Sequence, residues 1–328
     1  MPSRRHSLVR FVIALLLGLC GLQASAAWPD RPVSLIVPWP AGGSTDVMAR
    51  MLSPLLSEQL GQPVIVVNRA GATGNMGAEF VLQQPADGYN IFFGAASHLI
   101  NSALYAHNGR ALRYDIVTQF DWCAAITDSR MVVVVNPKVP ANNLRELVEL
   151  TRRSAPPLSY SSAGAGSIQH LSGELFLRTA DLTMLHVPYK GIAPSINDLV
   201  AGTVDVSFES LYPLLPFIKT GKLRALATLT ADPVPGLDGV PTAISQGYPG
   251  LVVAGPQFVG VPKGTPLDIS SRITRAFETV FANPEVVRRL EEAGLVVSFM
   301  RREEATRMIR SERDKWAKLI EKADIKVD

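Results

Sequence analysis

The segment Leu35-Ile36-Val37-Pro38-Trp39-Pro40-Ala41-Gly42-Gly43-Ser44-Thr45-Asp46 constrains the fold of this chain more than any other. An apolar strand enters a Pro/Gly turn, and Ser44 or Thr45 then starts a helix. Such a turn leaves backbone N–H groups free, with the positive end of a helix dipole behind them. An anion is held there without a cationic side chain opposite. The same order returns twice. Pro63 to Val67 reads as a strand leading into Asn68-Arg69-Ala70-Gly71-Ala72-Thr73-Gly74-Asn75-Met76-Gly77. Leu158-Ser159-Tyr160-Ser161 reads as a strand leading into Ser162-Ala163-Gly164-Ala165-Gly166-Ser167 and a helix from Ile168 to Thr179. Strand, glycine turn and helix in repetition make an α/β layout with parallel strands, whose ligands bind beyond the carboxyl ends of those strands.

The periodicity between these turns divides the chain. A helical stripe runs from Val47 to Leu60, with Pro54 expected to bend or restart it and Gly61 to close it. Tyr89 to Gly94 is a further strand, and Ser97 and His98 open the next helix. Met131 to Val135 is apolar throughout, as suits a buried or crossing strand. A second α/β unit follows, with strands at Met184–Val187, Val204–Phe208 and Leu223–Leu229. After a loop-rich stretch from Thr230 to Pro249 come a strand at Leu251–Gly260 and helices at Leu267–Phe281, Pro284–Ala293 and Glu303–Ala323, the last amphipathic. At roughly 150 residues per domain, 328 residues predict two units. Residues 27–127 with 231–328 form one lobe and 128–230 the other. Segments near 128–136 and 222–230 cross between them.

Charge and cysteine content narrow the function. Arg4, Arg5 and Arg10 precede an apolar run from Phe11 to Leu19, and Ala24-Ser25-Ala26 supplies a small-residue cleavage site, so residues 1–26 read as an export signal. Removing those three arginines leaves 29 basic residues (32 minus 3) against 29 acidic ones. No basic stripe remains for a nucleic-acid partner. Cys123 then stands alone, which leaves no intramolecular disulfide.

Enzyme signatures are absent from the motifs. The turn at Asn68–Gly77 lacks a P-loop lysine, and its glycine spacing does not match a dinucleotide fingerprint. Gly164-Ala165-Gly166-Ser167 is not a nucleophile elbow. His98, His107, His170 and His186 show no metal-ligand spacing. No catalytic residue, cofactor or metal is expected.

Taken in order, these residues resemble the periplasmic solute receptors of tripartite tricarboxylate transporters, also called Bug-type receptors. The resemblance rests on Trp28-Pro29-Asp30-Arg31-Pro32, the turn through Asp46, Val67-Asn68-Arg69-Ala70-Gly71-Ala72 and Pro85-Ala86-Asp87-Gly88-Tyr89. It continues through Ala163-Gly164-Ala165-Gly166-Ser167-Ile168-Gln169-His170, His186-Val187-Pro188-Tyr189-Lys190-Gly191 and Gly221-Lys222-Leu223-Arg224-Ala225-Leu226-Ala227. It implies a periplasmic, two-lobed "Venus flytrap" of the type II-like binding-protein class, each lobe a sheet flanked by helices. Such a receptor captures a di- or tricarboxylate, a carboxylated amino acid or an aromatic acid, and delivers it to large and small inner-membrane permease subunits. In the family, backbone amides and two bridging waters hold one carboxylate. A monomer is expected. A ligand sensor serving a signalling partner, or a hydrolase on this scaffold, are the alternatives.

The candidate ligand-binding residues follow from the turns. They are Trp39, Ala41, Gly42, Gly43, Ser44 and Asp46 in the first, and Thr73 and Gly74 in the second, where glycine serves either close packing or further donors. Ser97 opens its helix; Ser162, Ala163, Gly166, Ser167 and His170 belong to the turn of the second lobe. Trp39 either walls the pocket or packs on its own lobe, and Asp46 supports the first turn of its helix. His170 bonds ligand or water, or caps its helix. Asp205 orients ligand or ties neighbouring backbone. Glu209 either faces the cleft, disfavouring extra carboxylates, or is a solvated loop charge.

Overall fold

The computed structural model describes residues 28–234, 236–292, 295–323 and 325. The expected export signal, residues 1–26, lies outside the described residues. Strand β1 (Val33–Val37) is buried on both faces and pairs in parallel with β2 (Val64–Asn68) and β3 (Asn90–Ala95). Helices α1 (Ser44–Leu60), α2 (Asn75–Leu82) and α3 (Ala96–His107) follow these strands. The α1 helix continues through Pro54, whose ring lies on the exposed side, and Gly61 ends it with a φ of 75°.

Strand β4 (Phe120–Val135) runs for 16 residues and belongs to both lobes. Its first part, up to Arg130, lies against β9 (Ala254–Pro262) of the first lobe. Its last five residues, Met131 to Val135, pair with β7 (Val206–Ser210) and β8 (Arg224–Thr228) of the second. The sequence pattern predicts only the second part. The strand reaches back to Phe120 because Trp122, Cys123, Ala124, Ala125 and Ile126 are all buried, so the polar stretch from Thr127 to Arg130 does not mark its start.

The second lobe carries α4 (Leu144–Arg153), β5 (Ser159–Ser162), α5 (Ile168–Ala180), β6 (Leu185–Pro188), α6 (Ile192–Ala201) and α7 (Leu211–Lys219). Strand β5 lies in parallel between β6 and β7. The ordered path across both lobes is β2-β1-β3-β9-β4-β7-β5-β6. After β8 the chain stays with the second lobe. Val234 and Leu237 pack with Val132, Leu199 and Leu214, and Leu251 and Val253 join the cluster of Tyr160 and Phe176. The chain enters the first sheet only at Ala254, opposite Arg130.

The C-terminal part contributes α8 (Leu267–Phe281), α9 (Pro284–Glu292), β10 (Leu295–Arg301) and α10 (Arg302–Ala323). Strand β10, which the sequence pattern does not reveal, pairs antiparallel with β4. Helix α10 spans the seam between lobes. Ala305 and Ile309 pack with Phe120 and Trp122, while Trp316 and Ile320 belong to the cluster holding Ile100, Leu171 and Phe176.

Candidate ligand-binding site

Four helices, α1, α3, α5 and α6, begin at one cavity between the lobes. Trp39, Pro40, Gly43, Ser44, Thr45, Ala95, Ala96 and Ser97 line it from the first lobe, and Ala163, Ser167, Ile168, Gln169 and Ile192 from the second. Ser129, Met131, Ser210, Gly255 and Gln257 close it along the strands that join the lobes. Among the described residues no charged side chain lines this space. Its volume is ≈ 40 Å³, above the roughly 10–15 Å³ at which a cavity admits a water.

The first turn is held open by Asp46. Its Oδ2 accepts the Gly42 N–H at 3.0 Å and the Arg50 Nε–H at 3.0 Å, and its Oδ1 accepts from Asn68 at 2.8 Å. Burial alone raises this carboxyl, but the bonds from Arg50, Gly42 and Asn68 outweigh burial and hold it below the usual carboxylate range. The first intrahelical bond of α1 runs from the Val47 N–H to the Gly43 carbonyl. The N–H groups of Ser44, Thr45 and Asp46 therefore precede the helix ladder and lack partners within it. They supply donors backed by the helix dipole.

The second-lobe turn is built in the same way. Ser167 caps α5, its Oγ accepting the His170 N–H at 3.2 Å. The His170 ring accepts the Gly166 N–H at Nδ1, 3.2 Å away, and stacks on His186 at 4.2 Å. Burial pushes the His170 imidazole down to about 4, which keeps Nδ1 an acceptor. On the first lobe, His98 accepts the Ala95 N–H at 3.2 Å and is likewise pushed down to about 4 by burial.

The lobes are closed on one another. The Ile168 N–H donates to Ser97 Oγ at 3.3 Å, and Thr73 Oγ donates to the Ala165 carbonyl at 2.9 Å. Gln257 ties the joining strands to the first turn: its Nε2 donates to Thr45 Oγ at 3.2 Å and to Ser129 Oγ at 3.4 Å, and its Oε1 accepts from Thr127 Oγ at 3.2 Å.

Of the candidate residues, the structure brings Trp39, Gly43, Ser44, Ser97, Ala163 and Ser167 to the cavity wall. Trp39 also packs edge-on against His98, with ring centroids 5.1 Å apart. Gly42 and Asp46 shape the turn behind that wall, and Ala41 is exposed outside it. Thr73 and Gly74 line a neighbouring depression with Trp39, Pro40, Gly164, Tyr189 and Gly191. Ser162 and Gly166 act within the second turn: Ser162 Oγ meets His186 Nε2 at 2.7 Å, and Gly166 bonds His170.

Asp205 stands away from the cavity. It accepts both the N–H and the hydroxyl of Ser159 at 2.8 Å, which ties β5 to the start of β7. Glu209 is not a solvated loop charge: it lies within β7 and is 0% exposed. The sequence reading missed Thr45, Gln169, Ser129, Ser210 and Gln257. The only sequence mark of Gln257 and Glu209 is a polar residue set in an apolar strand.

Two α/β lobes joined by one long shared strand, with helix N-termini converging on an interlobe cavity, define a solute receptor with the periplasmic binding-protein fold. The chain belongs to the tripartite tricarboxylate transporter family receptors, whose family model matches residues 48–325. It is 33% identical over 319 residues to the UPF0065 protein of the tcbD–tcbE intergenic region of Pseudomonas sp. strain P51, covering 97% of this chain and 94% of that protein. The R. palustris protein Rpa4515, solved with adipate, superposes with a TM-score of 0.87 at 32% identity, over 91% of this chain and 99% of that one. The periplasmic binding protein BugD gives a TM-score of 0.86 at 31% identity, over 91% and 99% of the two chains.

Proposed function

We propose that this receptor captures a small carboxylate between its lobes in the periplasm, as a monomer freed of its export signal, and delivers it to the large and small permease subunits. The observation that carries this reading is a cavity that offers helix N-terminal amides from both lobes and no charged side chain. Such a wall suits an acid group because the donors are fixed and the dipoles point the right way. The N–H groups of Ser44 and Thr45 with the Ser97 hydroxyl from the first lobe, and the N–H of Gln169 from the second, are the proposed carboxylate contacts. The adipate in Rpa4515 supports the same class of ligand.

Thermal melting against a panel of carboxylates tests this. A ligand at 100 times its Kd adds about 2.7 kcal/mol, which raises Tm by roughly 2–4 °C per kcal/mol in a chain of this size. At least one acid is expected to raise Tm by several degrees while its uncharged amide does not. A panel with no response, or a response equal for acid and amide, overturns the proposal.

A further inference from the structure

The cavity has two unlike ends. The first-lobe turn offers amide donors, whereas the opposite wall sets beside the Gln169 N–H two side chains, Gln169 and Ser210, that Glu209 engages from behind. Gln169 Nε2 donates to Glu209 Oε1 at 2.8 Å, and the Ser210 N–H donates to the same oxygen at 2.7 Å. Both Gln169 and Ser210 line the cavity. Because the Ser210 N–H can only donate, Glu209 Oε1 is fixed as an acceptor, and the Gln169 carboxamide is fixed in turn: its nitrogen faces Glu209 and its oxygen is left for the cavity. The Ser210 hydroxyl lies 3.8 Å from Met131 Sδ and also acts on the Glu209 carboxyl as a side-chain donor; a hydroxyl donating to either keeps its oxygen lone pairs free.

A second observation stands apart from these bonds. Glu209 Oε2 is fully buried and has no hydrogen-bond partner among the described residues. An unpaired buried carboxylate oxygen is costly when charged, which makes Oε2, and not the doubly bonded Oε1, the oxygen that takes a proton. Burial pushes the Glu209 carboxyl up to about 7, but any proton it takes sits on Oε2, so the Gln169 orientation holds in either state.

The geometry points to a ligand that is a small carboxylic acid bearing a separate hydrogen-bond donor, a hydroxyl or amine, with Gln169 Oε1 and Ser210 Oγ receiving that donor and Glu209 fixing their orientation. A second ionised carboxylate at this end meets acceptors and a buried acid instead, which disfavours it. Gln169 and Ser210 are thus specificity-determining contacts, and Glu209 is a positioning residue. This inference rests on the receptor reading above.

Calorimetric titration of the purified mature protein with butanoate, 3-hydroxybutanoate, 4-hydroxybutanoate, 4-aminobutanoate and succinate tests it. At least one hydroxy or amino acid is expected to bind about tenfold or more tighter than both butanoate and succinate. In Gln169→Met that ratio is expected to collapse towards one. Glu209→Gln, a nearly isosteric change that keeps an acceptor for both the Ser210 N–H and Gln169 Nε2, is expected to retain the preference, whereas Glu209→Met, which removes the acceptor and frees the Gln169 carboxamide to turn over, is expected to reduce it; an equal loss in both variants overturns the positioning role. Equal affinities across the panel in the unaltered protein overturn the inference and leave the receptor reading standing. So does a preference that survives Gln169→Met. Binding of no acid by the unaltered protein overturns both.

Discussion

His98 and His170 hold the same station in opposite lobes. Each is the third residue of a helix that opens on the cavity, and each accepts at Nδ1 a backbone N–H of the preceding turn, Ala95 for His98 and Gly166 for His170, both at 3.2 Å. The position is the one from which a capping-box side chain reaches back to the helix start. A neutral ring does this work. Protonation turns His170 Nδ1 into a donor facing the Gly166 N–H, whereas His98 Nδ1 also lies 3.1 Å from the Ala95 carbonyl, an acceptor for the added proton.

Acid should therefore loosen the second-lobe turn, and it opposes burial of both rings. Burial depresses each folded-state pKa from 6.5 to about 4. The stability from keeping these rings neutral is complete above pH 6.5 and is lost as pH falls towards 4. Asp128 and Glu209, pushed up by burial to about 6 and about 7, act in the opposite sense, favouring the fold as pH falls. Glutamine at position 170 accepts the Gly166 N–H without titrating. His170→Gln is expected to flatten the pH dependence of unfolding free energy between pH 6.5 and 4 by about 3 kcal/mol, read by denaturant titration at each pH. An unaltered slope contradicts the assignment.

Closure depends on the bare backbone at Gly166. Its φ is +79°, and a Cβ there would lie 2.5 Å from Asn101 Oδ1 on the opposite lobe. Gly166→Ala combines left-handed strain of about 1–2 kcal/mol with a steric wedge across the seam. Ligand affinity should drop by roughly tenfold or more, and small-angle scattering with saturating ligand should show a larger radius of gyration than the unaltered protein. Unchanged affinity rules out this account of closure.

Asp46 is expected to matter through the turn it holds. Asp46→Asn removes the charge-assisted bond to Arg50 and sets an amide donor against either the Gly42 N–H or the Asn68 amide. A destabilisation of about 1–3 kcal/mol follows, seen as a lower denaturant midpoint with an unchanged m-value. Ligand binding should weaken as well, since Gly42 adjoins the lining residue Gly43. A stable variant with normal affinity would show that the turn holds its shape without this carboxylate.

Cys123 should be inert. It is buried, and burial pushes its thiol up to about 12. Thiolate is the reactive form, so a thiol reagent at pH 8 should leave the folded protein unmodified and label it stoichiometrically once it is unfolded. Rapid labelling of the native protein contradicts its placement at the core of β4.

The glycine turns, the order of strands and helices up to Phe281, and the caps at Gly61 and Ser167 were legible in the sequence, because each depends on residues within a few positions of one another. A strand entering glycine and leaving as a helix is a local event, set by φ preferences and by the unmet N–H groups of a helix start. The fold class follows from repeating that event. The full span of β4, the presence of β10 and the late entry of the chain into β9 were not legible, since strand pairing joins distant segments. Gln257 reaches Thr45 across 212 residues of chain only because β9 inserts between β3 and β4. Glu209 shows the same divide: as a residue it reads as an exposed charge, and only the packing of α5 over β7 buries it against Gln169. Local sequence determined where backbone donors are free, while the cavity's far wall was decided by tertiary pairing, because hydrogen bonds between remote segments leave no periodicity along the chain.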